Sequence, residues 1–534
     1  MNIPRLIILV CVILSGLFFL CPYLDFQDLL SAGDHGRDLY AFWATAQGDM
    51  PYTDYWWVYG PLMPYYYAVF LKLFGVTIPS ILWGKICLQL VGGVFIFLTL
   101  ELWITPLLAY AGALWFWAFG PDFFFTYNHQ GGIALLAAAV YCLLAYIKNP
   151  QFKYLNRGLL CIFLLALVKV NFGLAALAVF LGGIFLADRI GHKALSREKV
   201  LFYYTALSLL PLGLLGLYLF FLRGLPEYAI RQCLPYLSAD HPYNAPLFVT
   251  LSMWWEAIAL NINSSWADRI FALIIISLGA RAGLLYLSQK TELMERKKIL
   301  LTLSVLAGFY LINLHEYFLS SLLYRTEWSK PFSILMIFFT LHWGLKNVKR
   351  STQILLPLAL IVVVGLKIAD QTYSINRLKR VKFRAHHLQL ERAQVFVGNN
   401  PDWIDTVTQT TRQLENLVNP NETFLALPFN PLYYYLTGRK APTRQLIFYE
   451  HINIPPQQER EIIAALESKK VNYVLLSNHA HSTYKGLGRF GQTYCPLLGR
   501  YLEQNFAEFR RLGNWEDPPG WAWNHGTLIL KRNL

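Results

Sequence analysis

The chain has 534 residues, of which 55% are hydrophobic, 16% aromatic and only 15% charged, with a net charge of +14. A typical globular chain carries roughly 25% charged residues, so this composition excludes an ordinary soluble enzyme and points to the membrane class. The positive charge then reads as the orientation signal of membrane helices, and no nucleic-acid partner is implied.

In chain order, Ile3 to Leu20 behind Arg5 looks like a signal peptide. No small-x-small cleavage site follows it and many further apolar runs do, so it reads as an uncleaved first span. A crossing helix needs about 20 apolar residues. Candidate spans lie near 3–22, 79–100, 105–120, 131–147, 157–171, 173–188, 201–222, 267–288, 299–314, 331–345 and 354–370, about eleven in all. Pro61 to Gly75 is apolar but only fifteen residues long, with two prolines and Lys72. It reads as a helix lying in the outer interface, where aromatic-rich amphipathic segments are favoured.

The loops at 148–157, 188–200, 289–298 and 346–353 carry fourteen Lys or Arg. The alternate set at 23–60, 121–130, 223–266 and 315–330 carries five: Arg37, Arg223, Arg231, Arg325 and Lys330. The positive-inside rule puts the basic set and the N-terminus in the cytoplasm, and an odd number of crossings puts everything after about Ile375 outside. That tail begins with a basic helix (Arg377, Lys379, Arg380, Lys382, Arg384). It continues with apolar runs at 423–429, 471–477 and 526–532 that read as short buried strands, and with helical stretches near 431–437, 456–470 and 495–506. Strands alternating with helices predict a small α/β layer. The expected fold class is thus a polytopic α-helical membrane protein, with a transmembrane catalytic domain over 1–372, a first outer loop at 23–78, and an extracytoplasmic α/β domain over 373–534. The seven cysteines show neither metal-ligand spacing nor a disulfide framework.

Residues 31–67 read SAGDHGRDLYAFWATAQGDMPYTDYWWVYGPLMPYYY. Asp34 and Asp38 are spaced i and i+4, so both carboxylates can share one face of a helix starting near Gly36. They follow the first span directly, at the lip of the membrane. Asp34 before Gly36 also suits a helix N-cap, and spacing alone leaves catalysis and capping open.

Gly33-Asp34, Asp38, Gly48, Pro51-Tyr52, Asp54, Tyr59-Gly60-Pro61-Leu62 and Leu73-Phe74-Gly75, set behind a first helix, resemble the GT-C glycosyltransferases. These are the polyprenyl-phosphate-sugar-dependent membrane enzymes that include the protein mannosyltransferases and the aminoarabinose transferases of lipid A. No MIR-like β-trefoil accompanies the motifs, which argues against the eukaryotic protein mannosyltransferases. The resemblance implies an inverting transfer in which Asp34 is the catalytic base and Asp38 supports it, positions the acceptor or helps hold a divalent cation, Mg or Mn. It also implies a polyprenyl-phosphate-linked sugar donor, a lipid, glycan or protein acceptor, and a home in the bacterial inner membrane.

Such a transfer needs cations for the departing phosphate. Lys169, in ALVKVNFG, resembles the family's Lys-Gly corner between two helices. Lys85 lies seven residues into its span, and Arg325 and Lys330 flank the start of another. A cation at the centre of a membrane helix costs about 2.5–3.5 kcal/mol, so Lys169 either faces a polar cavity or snorkels from a helix end. The sequence departs from the family where a second acidic residue is expected: Asn128, His129 and Gln130 hold that place, with Asp122 earlier. His129 is accordingly a substrate-binding candidate, and His315-Glu316 and Asp240-His241 are further outer-loop polar pairs. A transporter or flippase for lipid-linked glycans would be expected to show inverted-repeat symmetry, which the sequence lacks. An inactive assembly subunit of the same fold remains the other reading.

Overall fold

A computed structural model describes residues 3–122, 126–190, 197–228, 230, 293–320, 323–345, 349–381, 383–481 and 488–533. Ten predicted spans fall on helices: α1 (Ile3–Leu20), α4 (Ile78–Glu101), α5 (Pro106–Phe119), α6 (Asn128–Lys148), α7 (Phe152–Val168), α8 (Val170–Ile190), the run α9 (Arg197–Tyr204) and α10 (Leu210–Leu222) joined by a π-helical turn, α11 (Leu293–Ile312), α13 (Lys330–Leu345) and α14 (Arg350–Val381), with the short α12 (His315–Ser320) between α11 and α13. The span predicted at 267–288 and the pair Asp240-His241 lie outside the described residues. Among the described residues, seven helical stretches are long and apolar enough to cross a bilayer. The chain is an integral membrane protein.

Burial sorts these helices. On α1 and α14, Leu6, Ile7, Leu14, Phe18, Leu355, Val362 and Leu366 are exposed, as lipid-facing side chains are. By contrast α6 is almost wholly enclosed, with Ala134, Ala137, Ala138 and Ala139 buried among its neighbours. Small residues let helix backbones approach closely where the solvent is itself apolar. At Lys169 the backbone is extended (φ −156°, ψ 108°), which breaks α7 from α8.

Between α1 and α4 the chain forms α2 (Asp34–Ala46) and α3 (Leu62–Phe74). The predicted helix over 61–75 is present, with Tyr65, Val69, Leu73 and Phe74 exposed. Asp54 of the G-x-x-P-Y-x-D motif accepts the Met50 amide at 2.7 Å, so it closes a turn.

The tail is mixed. Its strands β4 (Leu425–Leu427), β5 (Tyr473–Ser477) and β7 (Gly526–Arg532) lie where the apolar runs predicted them. Together with β6 (Phe506–Gly513), not anticipated, they form a sheet ordered β4-β5-β7-β6. The pair β4 and β5 is parallel and the other pairings are antiparallel. Helix α15 (Pro401–Leu417) is also new, whereas α16 (Leu432–Thr437), α17 (Pro456–Ser468) and α18 (Pro496–Asn505) match expectation. The basic helix expected at the start of the tail is the end of α14, which runs unbroken across the 372/373 boundary.

One more feature was not foreseen. β1 (Phe26–Gln27), in the first outer loop, pairs parallel with β3 (Ala393–Val397), and β3 pairs antiparallel with β2 (His387–Leu390). The outer loop and the tail also share one hydrophobic core, in which Leu39, Phe42 and Trp57 pack with Leu388, Leu432 and Tyr433.

Candidate functional site

The site begins at the N-terminus of α2. The helix opens at Asp34, and Ser31 Oγ accepts the amides of Gly33 and Asp34 at 3.1 and 3.2 Å. Ser31 therefore does the capping, which corrects the reading of Asp34 as an N-cap. The Asp34 side chain is 26% exposed and is held from two sides. Arg37 Nη1 donates to Oδ1 at 3.2 Å and Trp521 Nε1 donates to Oδ2 at 2.9 Å. Trp521 comes from the tail, and nothing in the sequence of the first loop announces it.

Asp38 is different. It is wholly buried, and Oδ1 receives Arg37 Nε at 3.0 Å and Nη2 at 2.8 Å. Oδ2 receives Thr126 Oγ1 at 2.5 Å and the Tyr127 amide at 3.0 Å. Burial raises the Asp38 carboxyl above its ordinary value, against the pull of Arg37 and these bonds. All four donors come from the protein, so Asp38 offers no oxygen to a substrate or a cation. It clamps α2 to the start of α6. Among the described residues no three His, Cys, Asp or Glu gather as a metal site. Among the described residues, Asp34 is then the one accessible carboxylate at this end, a poor fit to a resident divalent ion.

Gly36 permits the approach of the tail: a Cβ there would stand 2.3 Å from the Leu432 amide nitrogen. Gly60 plays the same part at the other end of the loop, where a Cβ would meet the Leu167 carbonyl oxygen at 2.1 Å. The Gly60 amide donates to Val168 O at 2.9 Å, one residue before Lys169. The Tyr-Gly-Pro-Leu motif thus lays Tyr59 against the α7–α8 corner. The Tyr59 ring lies 5.1 Å from the Arg37 guanidinium, 5.7 Å from Lys169 Nζ and 5.0 Å from the His129 ring.

Beyond Tyr59 lies a second group of charges. Lys169 Nζ is 2.6 Å from Glu316 Oε1, and Arg325 Nη1 is 3.7 Å from Glu316 Oε2. Asn171 Nδ2 donates to Glu316 Oε1 at 2.9 Å and lies 2.7 Å from His315 Nε2. Trp328 stacks on Phe172 at 3.9 Å and contacts His129 at 5.2 Å. Lys169 therefore faces a polar cluster and does not snorkel. Asp34, Asp38, His129, Lys169 and Arg325 come together around Tyr59. Lys85 and Lys330 do not. Lys330 pairs with Glu327 at 2.6 Å, and Lys85 lines a separate cavity. Arg37, Tyr59, Asn171 and Trp521 are participants that the sequence reading did not select, although Arg37 stands alone among the basic residues of its loop.

The arrangement is polarised. At the α2 end two carboxylates share one cation; at the α7–α8 corner two cations share one carboxylate. A partly exposed carboxylate and a patch with one excess positive charge flank the same tyrosine.

No family model and no curated protein matches the chain. Solved structures do. ArnT from Cupriavidus metallidurans bound to undecaprenyl phosphate superposes with a TM-score of 0.58 at 10% identity, covering 99% of this chain and 98% of that one. The arabinofuranosyltransferase AftD from Mycobacteria gives 0.48 at 12% identity over 98% of this chain and 41% of that one. The Archaeoglobus fulgidus oligosaccharyltransferase gives 0.47 at 13% identity over 89% and 68%. The superposition on ArnT runs almost end to end in both chains, and it identifies the fold as GT-C-like.

Proposed function

We propose that the chain transfers a sugar from a polyprenyl-phosphate carrier to an acceptor on the outer side of the membrane. The observation that carries this reading is the polarity across Tyr59. An acceptor O–H attacking the anomeric carbon must lose its proton as the new C–O bond forms, and the sugar–phosphate bond breaks with its electron pair leaving on phosphate. Asp34, the partly exposed carboxylate, takes the proton. Lys169 and Arg325, two cations against one Glu316, receive the phosphate's growing charge. Attack and departure on opposite sides of the carbon invert its configuration. The superposed ArnT binds undecaprenyl phosphate, which supports a carrier of that class. The wider reading includes about eleven crossings, the tail outside, and the bacterial inner membrane.

The test is incubation of purified protein with a panel of polyprenyl-phosphate sugars, followed by release of polyprenyl phosphate. Release that depends on an added acceptor is the expected result. A protein that carries intact lipid-linked glycan across proteoliposomes without breaking the sugar–phosphate bond would be a transporter, and the reading would fail.

A further inference from the structure

Lys85 has a setting of its own. A cavity of about 160 Å³ opens between α1, α4, α5 and α14, with Tyr23, Asp28, Lys85, Asp122 and Gln130 among its lining. That is far more than the roughly 15 Å³ one buried water needs, so the space suits a small headgroup better than a lone ion. The cavity is amphipathic: Phe19, Leu82, Ile86, Phe116, Trp117 and Ile368 wall one part of it. It is separate from the Asp34 site. His129 turns toward Tyr59 while Gln130, the next residue on α6, lines this cavity.

Three charges share the space, and none of them closes an ion pair among the described residues. Burial raises the Asp28 carboxyl above its ordinary value, with Lys85 pulling it down and Asp122 pushing it further up. Gln130 is 3% exposed and its Nε2 has no hydrogen-bond partner among the described residues. An unmet buried donor is destabilising, so a partner that fills the cavity and accepts from it recovers that loss.

We propose that this cavity binds the headgroup of a zwitterionic aminophospholipid, with the ammonium between Asp28 and Asp122 and the phosphate on Lys85 and Gln130 Nε2. Charge decides between ligand classes. One lysine beside two carboxylates repels a purely anionic headgroup, including a polyprenyl phosphate, but matches a ligand that carries both signs. A quaternary ammonium is bulkier and cannot donate to the carboxylates, so phosphatidylethanolamine fits and phosphatidylcholine does not. The apolar walls lie on membrane helices, so the acyl chains can run down into the bilayer.

The experiment uses the full chain in nanodiscs, with native mass spectrometry of retained lipid against equimolar phosphatidylethanolamine, phosphatidylcholine and phosphatidylglycerol. Wild type should retain phosphatidylethanolamine at least tenfold over the other two. Asp28→Asn and Asp122→Asn should each erode that preference, and Lys85→Gln should reduce retention of any phospholipid. Soluble glycerophosphoethanolamine should compete weakly if the tails contribute, and fully if the headgroup alone binds; either result supports the site. Equal retention of phosphatidylglycerol, or displacement of phosphatidylethanolamine by polyprenyl phosphate, overturns the proposal. So does unchanged preference in all three variants, with folding checked by their gel-filtration profiles. Because the readout is lipid retention, it stands or falls apart from glycosyl transfer.

Discussion

Two carboxylates one helical turn apart have opposite fates because of what surrounds them. Asp34 keeps an open face, whereas both oxygens of Asp38 are filled by Arg37, Thr126 and Tyr127. Asp34→Asn keeps the size and can still accept from one of Arg37 and Trp521, with its amide nitrogen facing the other, but it cannot take a proton. General-base catalysis contributes about 10²–10⁴-fold, so initial rates should fall at least a hundredfold with donor binding and melting temperature intact. A variant with near-normal turnover would end the assignment. Asp38→Asn should show the reverse pattern. Its amide must face the Thr126 hydroxyl and Tyr127 amide, both donors, and Arg37 loses its buried counter-ion. Breaking a buried pair costs about 3–5 kcal/mol, so thermal unfolding should shift well down. At the other end of the site, Lys169→Met should raise the donor KM by about 10- to 150-fold, the equivalent of the 1.5–3 kcal/mol of a charge-assisted bond. Unchanged donor kinetics would mean that Lys169 serves Glu316 alone.

At the level of elements, the tail acts as the roof of the outer loop. Asn399 Nδ2 donates to Leu30 O at 2.9 Å and to Ala522 O at 2.8 Å, and its Oδ1 accepts the Leu30 amide at 2.8 Å. One side chain thus ties the loop before α2 to the segment that carries Trp521. Trp521→Phe removes the bond to Asp34 and keeps a ring; about 1 kcal/mol of lost positioning should slow turnover roughly fivefold. Asn399→Ala should act in the same direction, and the double variant should be less than additive because both residues act through one contact. Additive rates would separate them. A buried histidine makes the roof sensitive to acid. His525 accepts or donates to the Tyr433 hydroxyl at 2.8 Å, and burial lowers its pKa to about 3. Unfolded histidine titrates near 6.5, so the unfolded chain binds the extra proton between these values, and stability is lost as pH falls below about 6.5. By pH 5 the loss should approach about 2 kcal/mol, read as a lower unfolding temperature, and His525→Gln should flatten the slope. These elements also mark what sequence can reveal. Strands β4, β5 and β7 were legible because each is a short apolar run between breakers. β6 was not, since Ala507 to Arg511 are all exposed, the apolar Ala507 and Phe509 included, with no buried face to produce alternation. Neither was the β1–β3 pairing, because a two-residue strand has no period and its partner lies hundreds of positions away. Asp34 stood out through a local motif; Trp521 joins it only through the fold.

For the whole molecule, the decisive quantity is sidedness, because a base on α2 can act only on acceptors that reach its side. Fourteen basic residues in one set of loops against five in the other predict that the basic set is cytoplasmic. The structure adds a constraint that charge counting lacks. The outer loop and the tail share a strand pairing and a hydrophobic core, so residues 23–78 and 387–533 must lie on one face of the membrane whatever the number of crossings. Even if the map at 267–288 were wrong, these two regions could not be moved to opposite sides. Arg460 is exposed in the tail and Lys349 is exposed in a basic loop, which makes both suitable for substitution by cysteine. In a background without native cysteines, a membrane-impermeant maleimide applied to intact cells should label Arg460→Cys and spare Lys349→Cys until the membrane is opened. Labelling Asp49→Cys tests the linkage: Asp49 pairs with Lys440 of the tail at 2.7 Å, so its accessibility should follow that of position 460. Equal labelling at 349 and 460 would overturn the orientation. Labelling at 49 opposite to that at 460 would overturn the shared face, and with it the contact that brings Trp521 to Asp34.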